Sequence, residues 1–216
     1  MKPELKRRLL AAGSVAVIIA SCIWIYLTQL HTANYNVGLH RRIGQMLAEQ
    51  SAVLIGKRGH IVTIAIDTKE WPELKTQIDA FKVALRKLGE FEVRAYEMDT
   101  KDQPKYGVGS GLSGRRFVRT VKKNPNADLF VSFVGAPRLS EEEIADLGKK
   151  PKFIAESRSG DNLPDLFEHQ LIQVAIVSRF QFPAPGPERP HTPEEWFTKR
   201  YQILTSEGAR ALTKSE

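Results

Sequence analysis

Cysteine is almost missing from this chain: a single one, Cys22, stands among 216 residues. One thiol closes no intrachain disulfide and builds no cysteine-based zinc cluster, so both scaffolds are excluded. Histidine does not repair the deficit. His31, His40, His60, His169 and His191 lie far apart, with neither H-x-x-x-H nor H-E-x-x-H among them, the spacings that put metal-binding imidazoles on one helix face. The G-x-S-x-G nucleophile elbow and the Walker sequences are absent too. Nothing in the sequence calls for a cofactor. Aromatic residues make up 8% and do not interleave with the basic ones, so the net charge of +7 does not read as a nucleic-acid surface. Hydrophobic and charged shares of 42% and 26% exclude a disordered chain, and the length suits one domain with an appendage.

Much of the positive charge is concentrated at the start. Residues 1–8 hold Lys2, Lys6, Arg7 and Arg8 against Glu4, and Leu9–Leu30 then carries no charge at all. A helix over residues 9–30 rises about 33 Å, enough for a hydrocarbon core of about 30 Å. Trp24 and Tyr26 fall toward its far end, where aromatic rings favour the interface, and the next cations are Arg41 and Arg42. This pattern predicts a single-pass signal anchor in a bacterial inner membrane, with residues 1–8 cytoplasmic and everything after Leu30 on the periplasmic side. Two rivals stand beside it. A cleaved secretory signal would need a shorter apolar run and a small-x-small site. Ile19-Ala20-Ser21-Cys22 has the form of a lipobox, which would make Cys22 a lipidation site. However, Ile23-Trp24-Ile25-Tyr26-Leu27 continues apolar where a lipoprotein turns polar, and the uncut anchor is preferred.

Residues 31–55 read as a stalk helix. Leu39, Ile43, Met46, Gln50 and Val53 follow alternating four- and three-residue steps, a short heptad-like seam. The seam packs either on its own domain, the preferred reading, or on a second copy in a homodimer. Residues 56–205 then alternate strand and helix. Ile61–Asp67, Phe91–Met98, Ala127–Gly135, Lys152–Glu156 and Gln173–Arg179 are the predicted strands. Between them, Glu70–Leu88 and Ser113–Asn124 have helical periodicity, Ser140 and Glu143 form a capping box, and Leu163–Gln170 is helical. The expected fold is an α/β doubly wound five-stranded parallel sheet in the order 2-1-3-4-5. Thr192 and Pro193 start a last helix in which Trp196 and Phe197 pack inward rather than forming a docking patch. Tyr201–Leu204 is a candidate edge strand, and residues 206–216 form a charged tail helix.

In such sheets ligands meet the carboxyl ends of the strands. Those positions are Asp67 and Thr68, Asp99 and Thr100, Gly135 and Ala136, Glu156 and Ser157, and Arg179. Gly107–Gly114 contains G-x-G-x-x-G at 109, 111 and 114 ahead of Arg115 and Arg116. It could hold an anion, but it follows the second strand rather than the first, so a loop closed by the Ser113 cap is the preferred reading. The segment Ala127-Asp128-Leu129-Phe130-Val131-Ser132-Phe133-Val134-Gly135-Ala136-Pro137 resembles the first lobe of type I periplasmic binding proteins, and the order of elements over residues 59–180 is similar. That resemblance implies a ligand-binding role, although those receptors close two lobes over the ligand and this chain offers one. The expected function is a non-enzymatic, membrane-held binding or scaffold module contacting a protein partner or small solute. One alternative is a hydrolase or transferase using Asp67, Asp99 or Glu156 as acid or base. Another is a component of a solute transporter or envelope complex.

Overall fold

A computed structural model describes residues 3–25, 35–69, 71–98, 112–148, 150–157, 162–179 and 190–208, with side chains from Ala12 onward. The chain divides into two units, Met1–Asn36 and Val37–Glu216.

The first unit contains helix α1, Pro3–Ile25. Its large apolar side chains face outward: Val17 is 66% and Trp24 70% exposed. The membrane span expected over residues 9–30 is not supported in the structure. Among the described residues no helix is long and apolar enough to cross a membrane. Within α1 the uncharged run, residues 9–25, rises about 26 Å at 1.5 Å per residue, short of a bilayer core of about 30 Å. Residues 26–30 lie outside the described residues. Cys22 is exposed on α1.

The second unit opens with helix α2, Val37–Ile55, and continues through strand β1 (Arg58–Ile66), helix α3 (Pro72–Leu88) and strand β2 (Glu90–Met98). Next come a two-residue strand β3 (Leu112–Ser113), helix α4 (Gly114–Lys123), strand β4 (Leu129–Ser132) and a second short strand β5 (Pro137–Arg138). Helix α5 (Glu141–Asp146), strand β6 (Phe153–Ser157), helix α6 (Leu163–Glu168), strand β7 (Val174–Ser178), helix α7 (Pro193–Arg200) and strand β8 (Tyr201–Thr205) complete it. The main sheet runs β2-β1-β4-β6-β7-β8. Its first five strands are parallel and follow the expected 2-1-3-4-5 order, while β8 joins β7 antiparallel. A separate pair, β3 with β5, was not anticipated.

Alternation along β4 separates the two faces of the sheet. Phe130 and its register partner Phe153 meet Phe117 of α4 edge-on, at ring-centroid distances of 6.3 and 4.8 Å. Phe133 meets Phe81 of α3 at 5.5 Å on the other side. Helix α2 packs beside α3 and reaches across β4, β6 and β7. It buries Leu39, Ile43, Leu47, Ala48 and Ser51 in this unit's own core. The start of the expected stalk helix, residues 31–34, lies outside the described residues. The five-residue seam is only partly used: Leu39 and Ile43 are buried, Met46 and Gln50 are half-buried, and Val53 is 76% exposed. Two devices end α2. Gly56 adopts φ +83°, a left-handed conformation that favours glycine, and Lys152 Nζ donates to the Leu54 carbonyl at 3.0 Å.

Two of the predicted helix caps, Ser140 and Thr192, form as expected, whereas Ser113, expected to cap α4, makes no side-chain cap bond although it stands at the N-cap position. Ser140 Oγ accepts from the Glu143 amide at 3.3 Å while Glu143 Oε2 accepts from the Ser140 amide at 3.0 Å. Thr192 Oγ1 accepts from the Glu195 amide at 3.2 Å. Phe197 is buried and stacks on Tyr201, in keeping with packing rather than docking. The tail from residue 209 onward lies outside the described residues.

Candidate functional site

The connections of the sheet diverge between β1 and β4: from β1 the chain turns toward β2, and from β4 toward β6. The carboxyl ends of these two strands flank the position where doubly wound sheets hold ligands. Asp67 and Thr68 stand on one side. Asp67 Oδ1 accepts from the Lys69 amide at 3.0 Å and Asp67 Oδ2 lies 4.0 Å from the Lys69 ammonium, while the Thr68 carbonyl accepts from the Trp71 amide at 3.2 Å. Both residues therefore shape the turn into α3, and their side chains remain half-buried.

The other side is set by Ser132–Pro137. β4 ends at Ser132, earlier than the predicted Gly135, because the Ser132 hydroxyl donates to the Gly135 carbonyl at 2.7 Å and draws the chain out of the sheet. Gly135 has φ +104°, a conformation that side-chain-bearing residues rarely adopt. The next strand end brings Glu156 and Ser157, each 4% exposed. β6 lies between β4 and β7, so both residues sit in the interior of the sheet, and neither is without a partner. A carboxylate and a hydroxyl this deep at a strand end are costly unless satisfied, so Glu156 and Ser157 are the most constrained polar groups on the rim. Asp99 and Thr100 lie outside the described residues.

The glycine-rich stretch is described from Leu112 onward. The Leu112 amide donates to the Ala136 carbonyl at 3.3 Å, and β3 pairs with β5, so the start of α4 is stapled to the loop that follows β4. Gly114 lies directly against the Glu143 carboxylate and the Arg138 carbonyl, leaving no room for a Cβ. The positive end of α4 thus already faces a carboxylate of this chain, one that also caps α5. Arg115 is exposed and Arg116 half-buried on the first turn. The structure brings this pair close to β5, whereas Asp67 and Thr68 belong to the β1 turn.

Sequence reasoning missed a cluster at the opposite end of the sheet. Asp128 Oδ2 accepts from the His60 amide at 2.8 Å and lies 3.5 Å from His60 Nδ1, and Glu92 Oε2 lies 3.2 Å from His60 Nε2. The bond from the His60 amide, helped by the imidazole, holds the Asp128 carboxyl below the usual carboxylate range. Arg58, Lys150 and Lys152 line the same cleft of about 680 Å³. Among the described residues, no group of three metal-ligating side chains could hold an ion. The cluster depends on the β1–β2 register, His60 opposite Glu92, which no local pattern encodes. A second groove, about 560 Å³, runs between α2 and α3 past Arg41, Glu49, Val83 and Lys87.

No protein-family model matches the chain, and no curated protein matches it in sequence. Solved structures do. The chain is similar to AraP, an arabinose-binding protein from Geobacillus stearothermophilus, at 14% identity and a TM-score of 0.54, over 80% of this chain and 62% of that one. It is also similar to a solute-binding protein of an ABC transporter from Burkholderia graminis, solved with D-arabinose, at 17% identity and a TM-score of 0.51, over 78% and 60%. A third is a putative LacI transcriptional regulator from Bacteroides fragilis, at 12% identity and a TM-score of 0.50, over 80% and 61%. The chain has a type I periplasmic-binding-protein-like fold, and it spans about 60% of the length of these neighbours.

Proposed function

We propose that this chain is a non-enzymatic binding module of the bacterial envelope, held at the periplasmic face of the inner membrane by its N-terminal segment, and that it recognises a protein partner. The observation that carries the binding role is the fold, a doubly wound sheet like those of solute-binding proteins with a polar rim at its strand ends. The residues proposed for this rim are Asp67, Thr68, Gly135, Glu156 and Ser157, with Arg115 and Arg116 at the neighbouring helix start and Asp99, which follows β2 in the sequence. The described residues form one lobe, and in this reading a second macromolecular surface faces its rim. For the anchor, the support is the uncharged run Leu9–Leu30 behind Lys6-Arg7-Arg8, together with the outward-facing apolar side chains of α1. A homodimer is a further form of the protein-partner reading, with the outer face of α2 as its contact.

A second reading, a small polar solute bound at the same rim, is favoured by the similarity to AraP and to the solute-binding protein solved with D-arabinose. One experiment separates the two. The full chain is captured from native membranes in mild detergent, and both proteins and small molecules are identified by mass spectrometry. A stoichiometric protein partner supports the first reading. A sugar without a protein partner replaces it with the second. Recovery of neither sinks both.

A further inference from the structure

The second unit is polar along its strands, and the point at which the rest of the chain joins it fixes which end is which. Helix α2 feeds β1 through Gly56 and Lys57, and α3 links β1 to its parallel neighbour β2. Both helices therefore run opposite to the strands. They lie side by side and parallel: His40 Nδ1 is 2.9 Å from Gln77 Nε2, and one turn further on Gly44 sits against the Gln77 carbonyl and Ala80. Their first residues, Val37 and Pro72, are consequently at the carboxyl end of the sheet. Arg42 Nε lies 3.4 Å from Glu194 Oε1, which brings the start of α7, reached after β7 ends, to the same place. Val37 is also where the N-terminal segment enters this unit. The candidate rim and the attachment point thus share one end. Lys57, Glu90 and Lys150 lie at the other, beyond nine-residue strands that span about 30 Å.

We propose that the strand-end rim engages the periplasmic face of a second protein embedded in the same membrane. This rests on the anchored reading above. Residues 26–36 reach at most about 40 Å even when fully extended, which favours encounters at the attached end over the far one. The chemistry of the rim selects protein over lipid. Among the described residues it mixes acids (Asp67, Glu156), bases (Lys69, Arg179) and hydroxyls (Thr68, Ser157), whereas docking on an anionic leaflet needs a basic cluster and insertion needs an apolar wedge. Among the described residues of this unit, the large apolar side chains that are exposed, Val53 and Val83, lie on α2 and α3 away from the carboxyl ends of the strands.

The test uses the full chain in its native membranes. A photo-crosslinking residue is placed at Lys69 or Arg179 on the rim, and at Lys57 or Lys150 on the opposite end, all exposed positions. The expected result is at least a five-fold higher yield of one discrete adduct, containing an integral membrane protein, from the rim positions. Equal or greater yield from the opposite end, lipid adducts alone, or no adduct from any position overturns the proposal. An alkaline carbonate wash of the same membranes reads the anchor separately. A chain that washes off refutes the anchored reading, and a chain that stays without rim adducts refutes this inference alone.

Discussion

Individual residues in this chain are constrained by close approach and by charge, and each kind of constraint has its own test. Gly44 is where α2 and α3 touch most closely, and a Cβ there would meet the Gln77 carbonyl, a backbone group that cannot rotate away. Gly44→Ala should destabilise the protein by about 1–3 kcal/mol, the cost of forcing two packed helices apart. Urea denaturation followed by circular dichroism measures it, and an unchanged midpoint would show that the helices separate freely. Asp128 is constrained by charge. The His60 amide holds its carboxyl below the ordinary range, and the His191 amide does the same for Glu195. A lowered folded-state pKa contributes stability that is fully present above the unfolded carboxylate value and is lost as pH falls through the folded one. The contribution of these two carboxylates should therefore be lost as pH falls below their ordinary values of about 4, and Asp128→Asn should remove part of that loss while leaving the shape of the profile above pH 6 unaltered. Both carboxylates face solvent, so each effect is small. A pH series of thermal melts on the two proteins decides the matter.

The elements show which information is local. β1, β6 and β7 are legible because runs such as Ile61–Ile66 and Val174–Val177 are apolar and rich in β-branched residues, as burial on both faces requires. The caps of α5 and α7 are legible for the same reason, since donor and acceptor lie three residues apart. β4 shows where this stops: its apolar run continues through Phe133 and Val134, but a side-chain bond from Ser132 to Gly135 ends the strand. β3 and β5 have two residues each, too few for any period, and bringing the Glu143 carboxylate to Gly114 requires their pairing first. The role of α2 was ambiguous because Leu39 and Ile43 serve equally a heptad seam and a broader stripe. Leu47 and Ala48, outside the seam, decide it by being fully buried. Two substitutions test this division of the helix faces. Phe117→Ala, which empties the space among α4, Phe130 and Phe153, should cost about 3–5 kcal/mol. Val53→Glu, on the exposed face of α2, should change stability by no more than about 0.5 kcal/mol. Light scattering on the second variant adds an independent result, because loss of a dimer there would show that the outer face of α2 is an interface.

At the scale of the molecule, the sequence of the first unit and the packing of the second describe two objects with separate requirements. Among the described residues, the core from Leu39 to Leu204 is contained within the second unit, with α2 beside α3 extending the cover of that sheet face across β4, β6 and β7. The rim was legible only as a set of strand ends. Which of them would be buried, as Glu156 and Ser157 are, depends on β6 lying inside the sheet, and that order emerges from the crossovers rather than from any single strand. Deleting residues 1–36 should therefore leave a folded, cooperative domain whose melting temperature lies within about 3 °C of that of the full chain, a change of about 1 kcal/mol at the roughly 2–4 °C per kcal/mol of domains of 150–250 residues. The same deletion should move the protein from the membrane fraction to the soluble one. Thermal melts of the purified domain and fractionation of cells expressing each form give the two answers independently. A domain that melts far lower would show that the first unit supports the core, and a truncated protein still sedimenting with membranes would place the attachment in the second unit.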